Sequence, residues 1–526
     1  MKLTSAAIIL LSASPAKGQD ATFEPGNFSE GNKLVDSVTG GTLYLANGLQ
    51  AVPVGHSGQK VVLADDSQSS IEYHANCDGG AAIPQADGGH IYVSNSEVGS
   101  YPDDLSGGVY ALTFDGENKL QEYKQLLSGT AYNCHGGETP WGTWISCEEF
   151  RDNGRCWQVD PTGQKAPART AITGQSMDGS SANEMFGAWE AFAWDADDKK
   201  GYVTNDDYPT KDVSKTYPDH VSQSYQGAVV RFSPDETALA CLDAESDADK
   251  WCVLESGTVD YLKVVPSSEA GASGNFEWVS DKSEANPELY AASEGAHVED
   301  GILTFTSTLE GYLWRLDLAA GTYTRSACPF ASESDNLRIL GGVVYLCTGK
   351  KLSLFPYCLR RDISCPSSWH LMLLPCLLYL FIRLAIADDD DNPGDALWRW
   401  DDKGASRMFY EVGHSYPAGV DFTLDKKVMY VSMYGDATYQ VTRTDGLAFD
   451  AEPKSITYEV DGGIADGKTH EEIADQVAAI AVGVPAAEEA STGEATPEKP
   501  AGEASGAASN AVAGTIVGII TSTLML

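Results

Sequence analysis

The chain has 526 residues and 56.1 kDa, with 76 acidic against 35 basic side chains and a formal net charge of −41. That charge sets it against nucleic-acid phosphates and suits an extracellular protein or a carrier of divalent cations. Aromatic residues at 10% and 52 glycines exclude simple disorder for the bulk of the chain and fit strands joined by turns.

In chain order, residues 1–18 read as a signal peptide: Lys2, an apolar run from Ala6 to Leu11, then small residues with cleavage near Ala16-Lys17-Gly18. A sequon, Asn27-Phe28-Ser29, follows. From 30 to 460 a two-strand pattern recurs. Its first strands are His90-Ile91-Tyr92-Val93, Thr143-Trp144-Ile145-Ser146, Gly201-Tyr202-Val203-Thr204, Ile302-Leu303-Thr304-Phe305, Val343-Val344-Tyr345-Leu346 and Val428-Met429-Tyr430-Val431. Their partners begin at Gly108, Arg155, Ala228, Tyr312, Ala396 and Tyr439. Each strand alternates apolar and polar residues, and the turns are rich in Asp, Gly and Pro. Six such pairs, each preceded by another strand, predict an all-β fold: a six-bladed β-propeller with decorated loops and a flexible C-terminal tail.

The fifth pair is interrupted. Residues 350–387 turn apolar, with scattered Cys and Arg and with neither strand nor helix periodicity. The stretch ending at Ala387 has the length of a membrane helix, but Pro375 and Arg383 oppose that reading, and a span there would split one blade across a bilayer. Gly349-Lys350 is what a GGTAAG splice donor encodes, so the segment reads as a retained, translated intron in a eukaryotic gene. Without it, the acidic loop Asp388 to Gly394 joins the two strands. Beyond the propeller, 461–484 reads as a short helical segment and 485–510 as a low-complexity linker. Residues 511–526 form an uncharged hydrophobic tail, read as a GPI-anchor signal or a weak tail anchor.

Of eleven cysteines, Cys358, Cys365 and Cys376 lie in the interrupting segment, leaving eight. Cys241 with Cys252, Cys147 with Cys156 and Cys328 with Cys347 make local pairs in a secreted chain. Cys77 and Cys134 both sit in Asn-Cys-x-Gly-Gly; they pair with each other, or one serves as a thiolate metal ligand.

Residues entering each innermost strand of a propeller converge on the central channel. Here these are Asn76, Asp78, Cys134, Glu190, Glu294, Asp335 and Asp421, and the second strands of the blades add Glu97, Glu148, Glu149, Asp206 and Asp436. Any one of these acids alone fits a solvated turn. Together around one axis they repel unless cations lie between them. Carboxylates are ligands for Ca²⁺, and a thiolate among them favours a transition metal such as iron.

The run Asn133-Cys134-His135-Gly136-Gly137-Glu138-Thr139-Pro140-Trp141-Gly142-Thr143-Trp144-Ile145-Ser146-Cys147-Glu148-Glu149 resembles the signature of the PhoX-type alkaline phosphatases. Asn95-Ser96-Glu97, Trp189-Glu190, the strand ending Asn205-Asp206-Asp207, and Ser293-Glu294-Gly295 match further family segments in order. The resemblance implies a metal-dependent phosphatase of small phosphate monoesters, with Ca²⁺ and Fe³⁺ at the channel. It implies Cys134 as an iron ligand and Glu148, Glu149, Glu190, Asp206 and Glu294 as metal-binding carboxylates. The chain departs from the family where a phosphate-gripping Arg is replaced by Ala292, a His by Ser96, and a late Gln-His-Pro-Gly by the region of Tyr434-Gly435-Asp436. Losing a bidentate Arg removes a strong phosphate contact. Two other functions therefore stand beside it: a Ca²⁺-dependent lactonase or esterase, and a non-catalytic, Ca²⁺-stabilised surface module. The expected protein is a secreted or surface-attached monomer, with any membrane attachment through its tail.

Overall fold

The structure is a computed structural model. It describes residues 23–99, 105–150, 154–174, 187–207, 227–268, 271–308, 311–328, 333–349, 395–412, 415–435 and 437–456. All of these belong to the first of two units, Met1–Ile473. The signal peptide, the 350–387 segment, the 461–484 helix and everything C-terminal to it lie outside the described residues.

Six antiparallel blades account for nearly all the strands. Blade 1 is Cys77–Pro84, His90–Ser96, Gly107–Phe114 and Leu120–Thr130. Blade 2 is Gly137–Glu138, Trp144–Cys147, Cys156–Val159 and Ala168–Arg169. Blade 3 runs Trp189–Asp195, Lys200–Asn205, Val230–Pro234 and Gly257–Pro266; blade 4 runs Ser293–Glu299, Ile302–Ser307, Tyr312–Asp317 and Thr322–Ala327. An extra strand, Ser273–Val279, pairs with the outer strands of both and merges them into one sheet. Blade 5 is Glu333–Leu340, Val343–Gly349, Ala396–Asp401 and Gly404–Val412, extended outward by Thr42–Asn47 and Glu24–Val35. Blade 6 takes Tyr416–Phe422, Val428–Tyr434 and Ala437–Arg443 from the C-terminal side and its outermost strand, Leu49–His56, from the N-terminal side. The six hairpins expected from the sequence are the second and third strands of the six blades.

The core is not one mass but six seams. Trp144 and Val159 of blade 2 pack on Val93 and Ala111 of blade 1. Trp189 and Phe192 pack on Ile145, Trp314 and Phe305 on Tyr202, and Leu337 and Val344 on Leu313. Met429 and Val431 meet Leu397 and Phe409 between blades 5 and 6, and Tyr430 meets Tyr92 between blades 6 and 1. Each blade is therefore apolar on both faces, and the sixth seam closes the ring. Tyr92 and Tyr430 stack at 4.3 Å across that last seam, a contact worth about 1 kcal/mol beyond the area it buries.

The seams decide the cysteines. Cys147 and Cys156 face each other across neighbouring strands and are bonded, as are Cys241 and Cys252. Cys328 and Cys347 are free, against expectation. They lie on opposite faces of blade 5, one in the seam with blade 4 and the other in the seam with blade 6. Cys77 and Cys134 are also free and are not partners: Cys77 belongs to the seam between blades 6 and 1.

Candidate metal centre in the central channel

Five of the six innermost strands carry a register shift close to their start: between Cys77 and Gly80, Trp189 and Phe192, Ser293 and Ala296, Ser334 and Leu337, and Pro417 and Gly419. A bulge of this kind bends the strand and re-aims the extra residue. Asp78, Glu190, Glu294, Asp335 and Ala418 occupy those stretches. In blade 2 the bridge Asn133–Glu148 precedes the regular pairing of Gly137 with Ile145, which leaves Cys134 in the same place. The residue after the bulge approaches the next blade closely. A Cβ on Gly79 would come within 2.2 Å of the His135 carbonyl oxygen, so only glycine fits there.

A second position recurs at the end of each second strand. The backbone N–H groups of Glu97, Glu149, Asp206 and Thr308 donate to the carbonyls of Asn76, Tyr132, Ala188 and Ala292 at 2.7–2.9 Å. Gly349 and Tyr434 hold the same position in blades 5 and 6. Asn76, Tyr132 and Ala292 sit at φ near +50°, a conformation costly for residues with a Cβ. In blades 1 to 4 these two positions put a pair of side chains on the channel wall: Asp78 with Glu97, Cys134 with Glu149, Glu190 with Asp206 and Glu294 with Thr308.

The result is a cavity of about 160 Å³ at the axis. It is lined by Asp78, Glu97, Cys134, Glu149, Glu190, Asp206, Glu294 and Asp335, with Thr308, Ser334, Gly349 and Tyr416 completing the wall. A cavity of similar volume between Trp141, Trp194 and Lys199 holds no carboxylate.

Within the central cavity, ligand atoms of Asp78, Glu97 and Cys134 lie within 4.8 Å of one another, and so do those of Glu190, Glu294 and Asp335. Asn336 donates to the Asp78 carboxylate at 2.8 Å, the His135 N–H to Glu190 at 3.2 Å, and the Thr308 hydroxyl to Glu294 at 3.1 Å. These bonds fix the carboxylates without neutralising them. Burial, then the field of neighbouring acids, pushes the carboxyls of Glu97, Glu190 and Glu294 well above their ordinary range. Asp335 moves the same way, and burial takes Asp78 up to about 7. Burial and the adjacent Glu190 likewise raise the Cys134 thiol. No Lys or Arg is among the described lining residues. A dense anionic donor set with no protein counter-charge is what divalent and trivalent cations fit. Seven carboxylates suit hard ions and the single sulfur a softer one.

Of the six residues named as ligands from the sequence, Cys134, Glu149, Glu190, Asp206 and Glu294 line this cavity. Glu148 does not. Its carboxylate accepts from the Ala131 and Arg155 N–H groups and from Trp157 Nε1 at 3.0–3.2 Å, and burial raises it to about 7. It faces away from the channel because adjacent strand residues point to opposite sides. Asp78, Glu97 and Asp335 were in the wider acidic ring and belong to the cavity. Asp421 instead pairs with Arg338 at 2.9 Å. Asn76 donates to the Glu97 carbonyl and to the Tyr434 hydroxyl, both at 3.0 Å. Asp436 lies outside the described residues. Thr308, Ser334, Gly349 and Tyr416 carry no motif and had no sequence signal beyond their place after or before a strand.

Residues 115–207, which contain the Cys134 motif and the Glu149, Glu190 and Asp206 positions, match the family model "Alkaline phosphatase PhoX". The fold matches Pseudomonas fluorescens PhoX, solved in complex with vanadate, a transition-state analogue, with a TM-score of 0.52 at 12% identity over 82% of this chain and 100% of that one. The resemblance to the PhoX alkaline phosphatases holds. A Xanthomonas campestris gluconolactonase aligns over 75% of this chain and 97% of its own at 11% identity and a TM-score of 0.38. Virginiamycin B lyase from Staphylococcus aureus aligns over 81% and 96% at 10% identity and 0.33. No curated protein matches the chain in sequence. The PhoX match falls on the blades that supply both the sulfur and the Glu149, Glu190 and Asp206 carboxylates, so the family likeness and the cavity describe the same part of the molecule.

Proposed function

We propose that the chain is a metal-dependent phosphatase that hydrolyses small phosphate monoesters in the central cavity, with Ca²⁺ and Fe³⁺ as its ions. The observation that carries this reading is the meeting of two three-donor groups in one cavity, in a chain whose matched segment is PhoX-like. Cys134, with Asp78 and Glu97, would hold the softer ion. Glu149, 3.7 Å from the Cys134 sulfur, adjoins that group, and Glu190, Glu294 and Asp335, with Asp206 beside them, would hold the hard ions. Bound there, the cations supply Lewis acidity toward a phosphoryl oxygen and offset the charge of a phosphate dianion. The chain's own part is to hold the donors. Bulges and strained turns fix their direction, and Asn336, Thr308 and the His135 N–H fix their orientation. Burial keeps competing water few and the local dielectric low.

The test is metal analysis of the purified protein together with p-nitrophenyl phosphate hydrolysis before and after chelation. Iron plus calcium, with activity lost to EDTA and restored by both ions, is expected. One feature favours a second reading. Ala292 stands where the resemblance implies Arg, and the described lining offers no other cation for phosphate. A Ca²⁺-dependent lactonase or esterase acting on an uncharged ester would need none. Calcium without iron, and lactone turnover without phosphatase activity, would select it; a metal-free protein would leave a binding module.

The N-terminal signal pattern and the C-terminal tail support a secreted or surface-attached protein. Release of the protein from cells by a phosphatidylinositol-specific phospholipase supports lipid attachment. Its appearance only in the medium rejects that attachment.

A further inference from the structure

The cavity is not evenly charged around its axis. Blades 1 to 3 place an ionisable ligand at both recurring positions: Asp78 with Glu97, Cys134 with Glu149, and Glu190 with Asp206. Blade 4 gives Glu294 with Thr308 and blade 5 gives Asp335 with Gly349. Among its described residues, blade 6 places no carboxylate at either position. It has Ala418 in the bulge and Tyr434 at the strand end.

In place of acids, blade 6 presents two aromatic rings. Tyr416 and Tyr434 are direct cross-strand partners, and their rings stack at 5.0 Å with 13° between planes. Tyr416 lines the cavity and both rings are half-buried. The pair is held, not loose. Asn76 donates to the Tyr434 hydroxyl at 3.0 Å. On the other side a Cβ at Gly349 would lie 3.2 Å from the Tyr416 ring, so the absence of a side chain there lets the ring stand at the cavity edge. Burial pushes both phenols up, helped by Asp335 beside Tyr416 and by Glu97 beside both.

A phosphate monoester brings a charged phosphoryl group and an organic leaving group. The phosphoryl group belongs with the cations, along the arc of blades 1 to 5. Among the described residues, one wall is then left to the leaving group without a carboxylate, and that wall is the tyrosine stack. We infer that Tyr416 and Tyr434 form the leaving-group subsite, and that the preferred substrates are phosphate monoesters whose leaving group carries a flat aromatic ring. The inference rests on the phosphatase reading for the reaction, but the subsite itself is read from blade 6. Ring-on-ring packing contributes about 0.5–1.5 kcal/mol beyond buried area, which is a preference of about two- to ten-fold.

The experiment uses the full-length protein loaded with Ca²⁺ and Fe³⁺. It compares kcat/KM for phenyl phosphate and 2-glycerophosphate, and measures by calorimetry the binding of phenylphosphonate and methylphosphonate, which cannot turn over. The expected result is a phenyl preference in both measurements. Tyr416→Ala should reduce the phenyl-to-alkyl ratio about two- to ten-fold, and Tyr416→Phe should keep it. If Tyr416→Ala fails to fold, Tyr434→Ala and the wild-type binding ratio decide. Equal binding of the two phosphonates, binding of neither, or a ratio unmoved by removing the rings overturns the subsite. A phenyl preference in binding with no hydrolysis of either ester keeps the subsite and rejects the phosphatase reading.

Discussion

Stripping the cations from the channel should make the fold acid-loving. The carboxyl of Asp78 is raised to about 7 by burial, against about 3.9 in an unfolded chain. Between those values the native state binds more protons than the unfolded chain, so stability falls as pH rises through the window. The shift is about 3 units, which is about 4 kcal/mol lost by the metal-free protein once pH exceeds 7. Glu97, Glu190, Glu294 and Asp335 move the same way. Their charges are felt mutually, so their effects do not add as independent groups. Bound cations replace the protons and remove the penalty, so the loaded protein should lack this slope. The assay is thermal unfolding of EDTA-treated and metal-replete protein from pH 5 to pH 8. The treated protein should melt higher at pH 5 than at pH 8, by on the order of 5 °C for a fold of this size. The gap between treated and replete protein should widen with pH. Superimposed curves at every pH, or a treated protein whose melting point falls on acidification from 7 to 5, would refute the reasoning.

Glu148 and Glu149 should separate cleanly. Glu148→Gln sets an amide against N–H donors of Ala131, Arg155 and Trp157 and should cost about 1–3 kcal/mol of stability in denaturant unfolding, with metal content unchanged. Glu149→Gln removes a cavity carboxylate and should lower metal content, read by elemental analysis, with little loss of stability in the metal-free form. Cys134→Ser should fold, keep calcium and lose iron with its colour, because Ca²⁺ does not need sulfur; unchanged iron would reject the thiolate. Deleting 350–387 should leave expression, melting and metal content intact, since Thr348 and Ala396, which flank it, pair as neighbours in adjacent strands; a mass-spectrometric peptide from Leu371 to Arg383 in the natural protein would show that the segment is translated.

The blades were legible because their second and third strands are apolar runs of four residues or more between turn residues; the half-buried alternation expected of them does not hold, since strands such as Trp144-Ile145-Ser146-Cys147 are buried throughout and face a seam on each side. The closing strand Leu49–His56 was not legible, because nothing local marks it as the partner of Ala437–Arg443. The repeated Asn-Cys-x-Gly-Gly suggested that Cys77 and Cys134 are equivalent. The backbone aligns them one residue apart: the Glu97 N–H meets the Asn76 carbonyl, while the Glu149 N–H meets that of Tyr132. Asp78 is thus the counterpart of Cys134, and a shift of one residue turns Cys77 from the channel into a seam. The choice between Glu148 and Glu149 depends on the same alternation. Tyr416 escaped notice because its role comes from the bare Gly349 beside it and the stack with Tyr434, neither of which is a pattern in one stretch of chain.

The closure of blade 6 has a consequence for how the molecule is made. Gln50 and Thr442, hydrogen-bonded across the closing pair, are 392 residues apart. Bringing ends that distant together costs about 5 kcal/mol of chain entropy, against only tenths of a kcal/mol for lengthening or shortening the loops between. Leu49–His56 leaves the ribosome early and cannot find its partner until almost the whole propeller has been synthesised. During that interval both edges of the open ring expose unpaired strands to whatever passes. A product that stops short of Ala437 therefore lacks the strand against which Leu49–His56 closes the ring.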